Sequence, residues 1–270
     1  MRGRRGLRLL VATLLAGSPA FAWHGEGEEI VQDTAYTLGE RTDQLGLWRY
    51  DRGVAGWLDV GTSPLLLLIP FPNFQAKLRV WEERRVALAI RSGVYYLDLG
   101  FVPWASPDSN ASIVIVPFEL FWSFPVWRGF GMTLVSSSTA THLWGAYDPS
   151  EFEGAGVVDN QQVGLSVDWR LGRVVALVLT ARWLAFERAR GDATVTRRLD
   201  DFTTLRIAGA ASVQARSVRD AGYVMLSSVF SWETFNLRVG AGAGNLNVPV
   251  VNILLPEPGL VGELDVYWRF

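Results

Sequence analysis

Polar and apolar residues alternate along most of this chain with a period of two. In 162–171, Val163, Leu165, Val167, Trp169 and Leu171 fall on one face, and Gln162, Gly164, Ser166, Asp168 and Arg170 on the other. The last segment repeats the pattern, with Leu260, Leu264, Val266, Trp268 and Phe270 against Glu263, Asp265, Tyr267 and Arg269. So do 74–80, where Phe74, Ala76, Leu78 and Val80 oppose Gln75, Lys77 and Arg79, and 235–244, where Phe235, Leu237, Val239, Ala241 and Ala243 oppose Asn236, Arg238 and three glycines. Alternation at 180° per residue marks a strand with one apolar and one polar face. Two long uncharged stretches, Gly129 to Tyr147 and Val239 to Pro256, are interrupted by hydroxyls or by Asn and Pro. Neither is a continuous apolar run of about 20 residues, so neither predicts a spanning helix.

The alternation predicts strands over 41–50, 56–69, 74–83, 85–99, 111–124, 129–142, 161–171, 174–187, 201–214, 221–233, 235–247 and 259–270. Arg52-Gly53, Pro70 to Asn73, Trp127 to Gly129, Leu171-Gly172 and Asp220 to Gly222 supply the turn signals. A soluble sandwich alternates too, with its apolar faces inward. Here three features favour an apolar exterior. The strands run to about ten residues or more, as tilted membrane strands do. Trp48, Trp57, Tyr95, Trp122, Trp144, Trp169, Trp232 and Trp268 fall near strand ends, as an interfacial girdle requires. The polar face is rich in Gly, Ser, Thr, Arg and Asp, which suit a wet interior. In lipid a sheet must close on itself to pair every backbone N–H and C=O. The expected fold class is therefore all-β: a transmembrane antiparallel β-barrel of about 12 strands, with 10–14 allowed.

The first 22 residues differ from the rest. Arg2, Arg4, Arg5 and Arg8 precede an apolar run from Leu9 to Ala16, a Gly17-Ser18-Pro19 break and an Ala20-Phe21-Ala22 cleavage pattern. This is the tripartite layout of a secretory signal peptide. The expected organisation is a signal peptide at 1–22, an acidic periplasmic segment at 23–40 and the barrel at 41–270. The chain ends at Tyr267-Trp268-Arg269-Phe270, apolar at alternate positions and closed by Phe. It resembles the C-terminal strand of Gram-negative outer-membrane β-barrel proteins. That resemblance implies an outer-membrane location, contact with outer-membrane lipid and recognition by the barrel-assembly machinery through Phe270.

Composition narrows the function. The 270 residues carry a net charge of −2 and no cysteine. Disulfide frameworks, thiolate metal sites and Cys nucleophiles are excluded, and the acidic balance leaves no footprint for nucleic acid. The side expected to face the lumen carries Lys77, Arg79, Arg91, Arg170, Arg182, Arg206, Arg238 and Arg269, against Asp59, Glu119, Asp168, Glu263 and Asp265. Two readings follow. Arginine rings in an open lumen select anions, which makes a porin-like passive channel or small-solute transporter. Arg–carboxylate pairs that fill the lumen make a closed barrel acting through its loops, 102–110 and 143–160. About twelve strands lies between the filled and the open barrels. With a C-terminal Phe in the periplasm, however, alternation along the twelve segments places the long connections 102–110, 143–160 and 188–200 on the periplasmic side. One element is therefore misplaced, a further strand being expected either within 246–256 or at Thr34–Leu38.

Catalytic and metal chemistry is thinly represented. His142 follows the hydroxyl-rich run Ser136 to Thr141, and outer-membrane lipid hydrolases pair His with Ser. Those enzymes place Ser two residues after the His, where this chain has Trp144. Asp148, Glu151 and Glu153 near His142 offer a rim-protease alternative. His24 with Glu26, Glu28 and Glu29 offers metal ligands, but such an acidic tail is ordinarily solvated. Asp148 to Asp159 lacks EF-hand spacing, and Gly240 to Gly244 lacks the strand-to-helix context of a phosphate loop. The expectation is a non-enzyme with neither metal nor cofactor.

Overall fold

The computed structural model describes residues 30–68, 71–98, 100, 110–127, 129–147, 152–172, 174–198, 204–214, 221–232, 234–248 and 253–270. It contains thirteen strands: β1 (Asp43–Gly46), β2 (Tyr50–Ala55), β3 (Leu58–Thr62), β4 (Asn73–Glu83), β5 (Val86–Asp98), β6 (Ser112–Trp127), β7 (Phe130–Tyr147), β8 (Phe152–Arg170), β9 (Val175–Arg198), β10 (Thr204–Gln214), β11 (Gly222–Ser231), β12 (Phe235–Val248) and β13 (Ile253–Arg269). Neighbours pair antiparallel from β1 to β9, β9 pairs with β11, and β11, β12 and β13 continue to β1. Twelve strands thus close a barrel. β10 adds a partner only to the far part of β9, from Thr204↔Arg198 to Gln214↔Arg188.

Closure is consistent with the chain's faces. Val163 is 43% exposed and Gln162 is 1% exposed; Leu264 is 56% and Tyr267 is 1%. Apolar side chains point out and polar ones point in, the reverse of a soluble core.

The strand bookkeeping resolves without a strand at Thr34–Leu38, which is a bend followed by irregular backbone, or a separate one within 246–256, where residues 253–256 already belong to β13. Two errors in the expected segments cancel in number while inverting the sides. Segment 41–50 hides a reversal: β1 stops at Gly46, whose N–H binds Arg49 O at 2.7 Å, and β2 returns from Tyr50. Segments 201–214 and 221–233 are one crossing, because β10 and β11 both run antiparallel to β9 and hence in the same direction. Counted this way, the ends of β5, β7 and β9 at Asp98, Tyr147 and Arg198 lie opposite the C-terminus. The stretches 143–160 and 188–200, expected as loops, are mostly strand, since β7, β8 and β9 hold 18, 19 and 24 residues.

Segment 56–69 is also shorter as a strand than its apolar run suggests. Pro64 has no N–H to give a ladder, and after Ser63 the chain makes the one-turn helix α1 (Pro64–Leu67). Phe71 then packs at the lumen mouth against Tyr95 and Ile115, with Leu66, Trp48, Leu97 and Ile113 around them. Two girdle expectations change with this. Tyr95 is fully buried and faces inward, and Trp48 turns toward the cluster. Trp57, Trp122, Trp144, Trp169 and Trp268 do face out, each more than 40% exposed. At the short-turn end, Trp127 stacks on Phe130 at 4.1 Å, and Trp232 and Trp268 both flank Phe235.

Candidate functional site: a charged and plugged lumen

The inner face is built from cross-strand neighbours. Asp59, Lys77, Arg91, Glu119, Ser137 and Gln162 are successive register partners from β3 to β8, giving a continuous polar belt. Directly opposed side chains on one face are close enough to interact. Arg91 donates through Nε to Glu119 Oε2 at 2.6 Å and lies over the Phe121 ring at 4.9 Å. Glu119 also accepts from Arg182 Nη1, across the lumen on β9, at 3.3 Å. Arg238 donates to Glu263 at 2.9 Å, and Ser227 donates to the same carboxylate.

The lumen is not left to the strands. Residues 30–38, part of the segment expected in the periplasm, lie inside the barrel; 23–29 fall outside the described residues. Ile30 packs on Ala176, Val178 and Val229, and Ala35 and Tyr36 pack on Ala87, Ala89, Phe121 and Val135. Ile30, Thr34, Ala35, Tyr36 and Leu38 are all buried. Their polar groups are met by the wall. The Ala35 N–H donates to Ser123 Oγ at 2.7 Å, and the Leu38 N–H to Asp59 at 3.0 Å. Lys77 Nζ donates to the Val31 carbonyl at 3.0 Å and to the Tyr36 carbonyl. Gln32 donates to Asp265 Oδ2 at 2.7 Å, and Tyr36 Oη to the Arg85 carbonyl at 2.7 Å. Satisfying buried backbone groups in this way is what lets an irregular segment sit in a barrel interior.

Asp33 is the electrostatic centre of this plug. It lies 3.3 Å from Arg238 and 3.8 Å from Arg91. Burial acts to raise its pKa, but the combined field of Arg238, Arg49, Arg182 and Arg91 outweighs it and holds the carboxyl far below its ordinary value. Arg49, in the β1–β2 turn, is pushed down by burial and more strongly up by Asp33, Glu119 and Asp51.

Of the charges expected in the lumen, Lys77, Arg91, Glu119, Arg182, Arg238, Asp265 and Arg269 are buried, and Glu263 is partly buried. Arg269 sits at the short-turn end, donating to Gln44 at 2.7 Å. Arg79 pairs with Glu82 and reaches the Gly56 carbonyl at the rim of that end. Asp168 stands opposite Gly131, whose missing side chain leaves it room, and Arg170 ends β8 beside Gly129. Arg206 has its backbone in β10 opposite Thr196, and its side chain lies outside the described residues. Sequence reasoning missed Asp33, Arg49 and Asp51. Asp33 falls within 23–40, which reads as an acidic periplasmic segment, although the stretch Thr34 to Leu38 carries no charge and departs from the Glu-rich residues before it. Arg49 and Asp51 were hidden in the unrecognised β1–β2 reversal. With Arg79 paired to Glu82 at the rim and the Arg206 side chain outside the described residues, adding the three leaves seven basic and seven acidic inward residues, so the lumen carries no net positive excess.

Beside the plug, bounded by β9, β11, β12 and β13, a cavity of about 140 Å³ remains, with Arg49, Arg182 and Arg238 facing Asp33, Glu263 and Asp265. Under the plug toward β3–β5 the space falls to about 20 Å³, room for about one water. His142 lies apart from all of this. It is exposed on β7, with Val114 and Val157 as register neighbours. Among the described residues no group of three or more His, Asp or Glu is placed to hold a metal. Compared with known proteins, the chain matches no protein-family model and no curated protein.

Proposed function

We propose that this protein is an outer-membrane β-barrel of a Gram-negative bacterium that is closed to free diffusion, its lumen occupied by its own N-terminal segment. The observation that carries the reading is the docking of residues 30–38 onto inward side chains of β3, β4, β6 and β13. The apolar exterior and aromatic girdle support the membrane location, and the exposed Phe270 supports recognition by the assembly machinery. In this reading the Arg–carboxylate network holds the plug and does not line a passive pore. The outward position of His142, between valines, supports a non-enzymatic role.

The test is single-channel recording of the folded protein in a planar bilayer, with insertion verified separately by protease protection. Inserted protein that stays electrically silent at neutral pH is the expected result. Persistent discrete conductance steps without any treatment to displace the segment would refute the closed barrel and restore the passive channel.

A further inference from the structure

The barrel wall is not the same height all round. β1, β2 and β3 hold four, six and five residues, whereas β12 and β13 hold 14 and 17. At about 3.3 Å per residue and a tilt of about 40°, five residues raise the wall by about 13 Å, against an apolar band of about 25 Å. β1 meets β13 only between Gln44↔Arg269 and Gly46↔Tyr267, extended by Leu47 N–H to Val266 O at 3.1 Å. Beyond Val266, the edge of β13 that faces β1 has no strand beside it among the described residues. Trp48 Nε1 bridges part of the gap by donating to the Leu264 carbonyl at 3.1 Å. On the outer face at this level Leu260 is 95% exposed, and a Cβ added to Gly262 would meet nothing within 4 Å. Within a bilayer this is a notch in the wall.

The 140 Å³ cavity reaches around that edge: it is lined by Val261 and Glu263 from the inner face of β13 and by Gly262 and Leu264 from the outer face. A protein cavity of about 150 Å³ is large enough to hold benzene. Two buried atoms that line it, Thr180 Oγ1 and Asp265 Oδ1, have no hydrogen-bond partner, and each residue is only 5% exposed. A hydroxyl can donate and accept, and a carboxylate oxygen accepts. The cavity's three guanidinium groups are already balanced by three carboxylates, so a charged guest would unbalance a buried set. An uncharged hydroxyl supplies what Thr180 Oγ1 lacks; Asp265 lies four residues along β13 from Val261, the position in register with Thr180 through Met225 and Gly242.

We propose that this cavity is a lateral binding site for a single-chain amphiphile with a hydroxyl head, entered from the bilayer through the notch above β1–β3. The head binds at Thr180, and the chain leaves across Gly262 between Leu260 and Leu264. The proposal rests on the membrane-barrel reading.

The test uses the full protein in phospholipid vesicles with 10-bromo-1-decanol, whose bromine quenches nearby tryptophan. Trp48's share of the signal is isolated by difference from Trp48→Phe. The expected result is saturable quenching of Trp48, at a concentration at least tenfold lower than for 10-bromodecanoate. Gly262→Leu, which fills the notch, and the near-isosteric Thr180→Val each shift saturation at least tenfold higher. Non-saturable quenching of Trp48, equal response to the acid, or no shift in either variant overturns the lateral site. Brominated phospholipid quenching of the outward Trp122 and Trp183 reports insertion independently. Its loss would sink the membrane reading, and its persistence with an unresponsive Trp48 would sink the lateral site alone.

Discussion

Replacing Asp33 with Asn keeps the shape of the side chain and removes the charge that ties the plug to the wall. Asp33 is partly buried, with Arg238 at 3.3 Å, Arg91 at 3.8 Å and the fields of Arg49 and Arg182 around it. Arg238 keeps Glu263 and Arg91 keeps Glu119 as partners, so what is lost is a charge-assisted contact of about 1.5–3 kcal/mol, below the cost of stranding a buried charge. At about 1.4 kcal/mol per tenfold, that lowers the docked-to-released ratio of the segment by roughly one to two decades. The closing interactions that remain, Ala35 to Ser123, Leu38 to Asp59 and Lys77 to the Val31 and Tyr36 carbonyls, are mostly neutral or singly charged hydrogen bonds and are weaker. Hydrogen exchange read by mass spectrometry on the vesicle-embedded protein should show the amides of residues 34–38 losing protection by at least tenfold, while the strands keep theirs. Single-channel recording of the same sample should show intermittent opening. Glu40→Ala, whose partner Arg41 is 86% exposed, should change neither measurement. Unaltered protection at 34–38 in Asp33→Asn would refute the claim that the arginine cluster seats the plug through this carboxylate.

Three further outcomes follow from the same structure. Because the folded pKa of Asp33 lies below its ordinary value of about 3.9, its stabilisation is complete above about pH 4 and is lost as pH falls through the lower folded value; conductance should be absent at pH 5–8 and appear on further acidification, and Asp33→Asn should show no such acid step. Val167→Arg, on the outward face of β8, should cost about 2–4 kcal/mol in urea titrations of refolding into vesicles if it lies near the bilayer midplane, and a value near zero would contradict the lipid-facing register. The sequence alone suggests that Ser166→Arg is much milder, but Ser166 is 5% exposed inside a filled lumen, so overpacking of about 1–3 kcal/mol is expected there. Gly244→Ala should weaken refolding by about 1–3 kcal/mol, since Gly244 has φ +125° and a Cβ would stand 2.2 Å from the Gly222 carbonyl, whereas Gly259→Ala, facing open space, should be neutral in the same assay.

What the sequence determined by itself was the inside-out wall. The face a strand residue takes depends on the parity of its position, which is local, so Val163 against Gln162 and Leu264 against Tyr267 could be read directly. The cross-strand ladder from Asp59 to Gln162 follows from that parity once the register is known, and it brings Arg91 to Glu119 as neighbours. Parity fails where the chain turns without a strong Gly or Pro signal. The reversal at Leu47 to Arg49 was invisible for that reason, and with it the short wall and the notch. Composition likewise misread β10 and β11 as two crossings, because only pairing with a common partner, β9, shows that they descend together. The plug was the least accessible feature. Its contacts join residues 88, 205 and 233 positions apart, and nothing local distinguishes a segment that docks from one that is solvated. Whether the lumen is open depended on those contacts and on the near-balance of charge that Asp33 completes, so tertiary structure alone decided it.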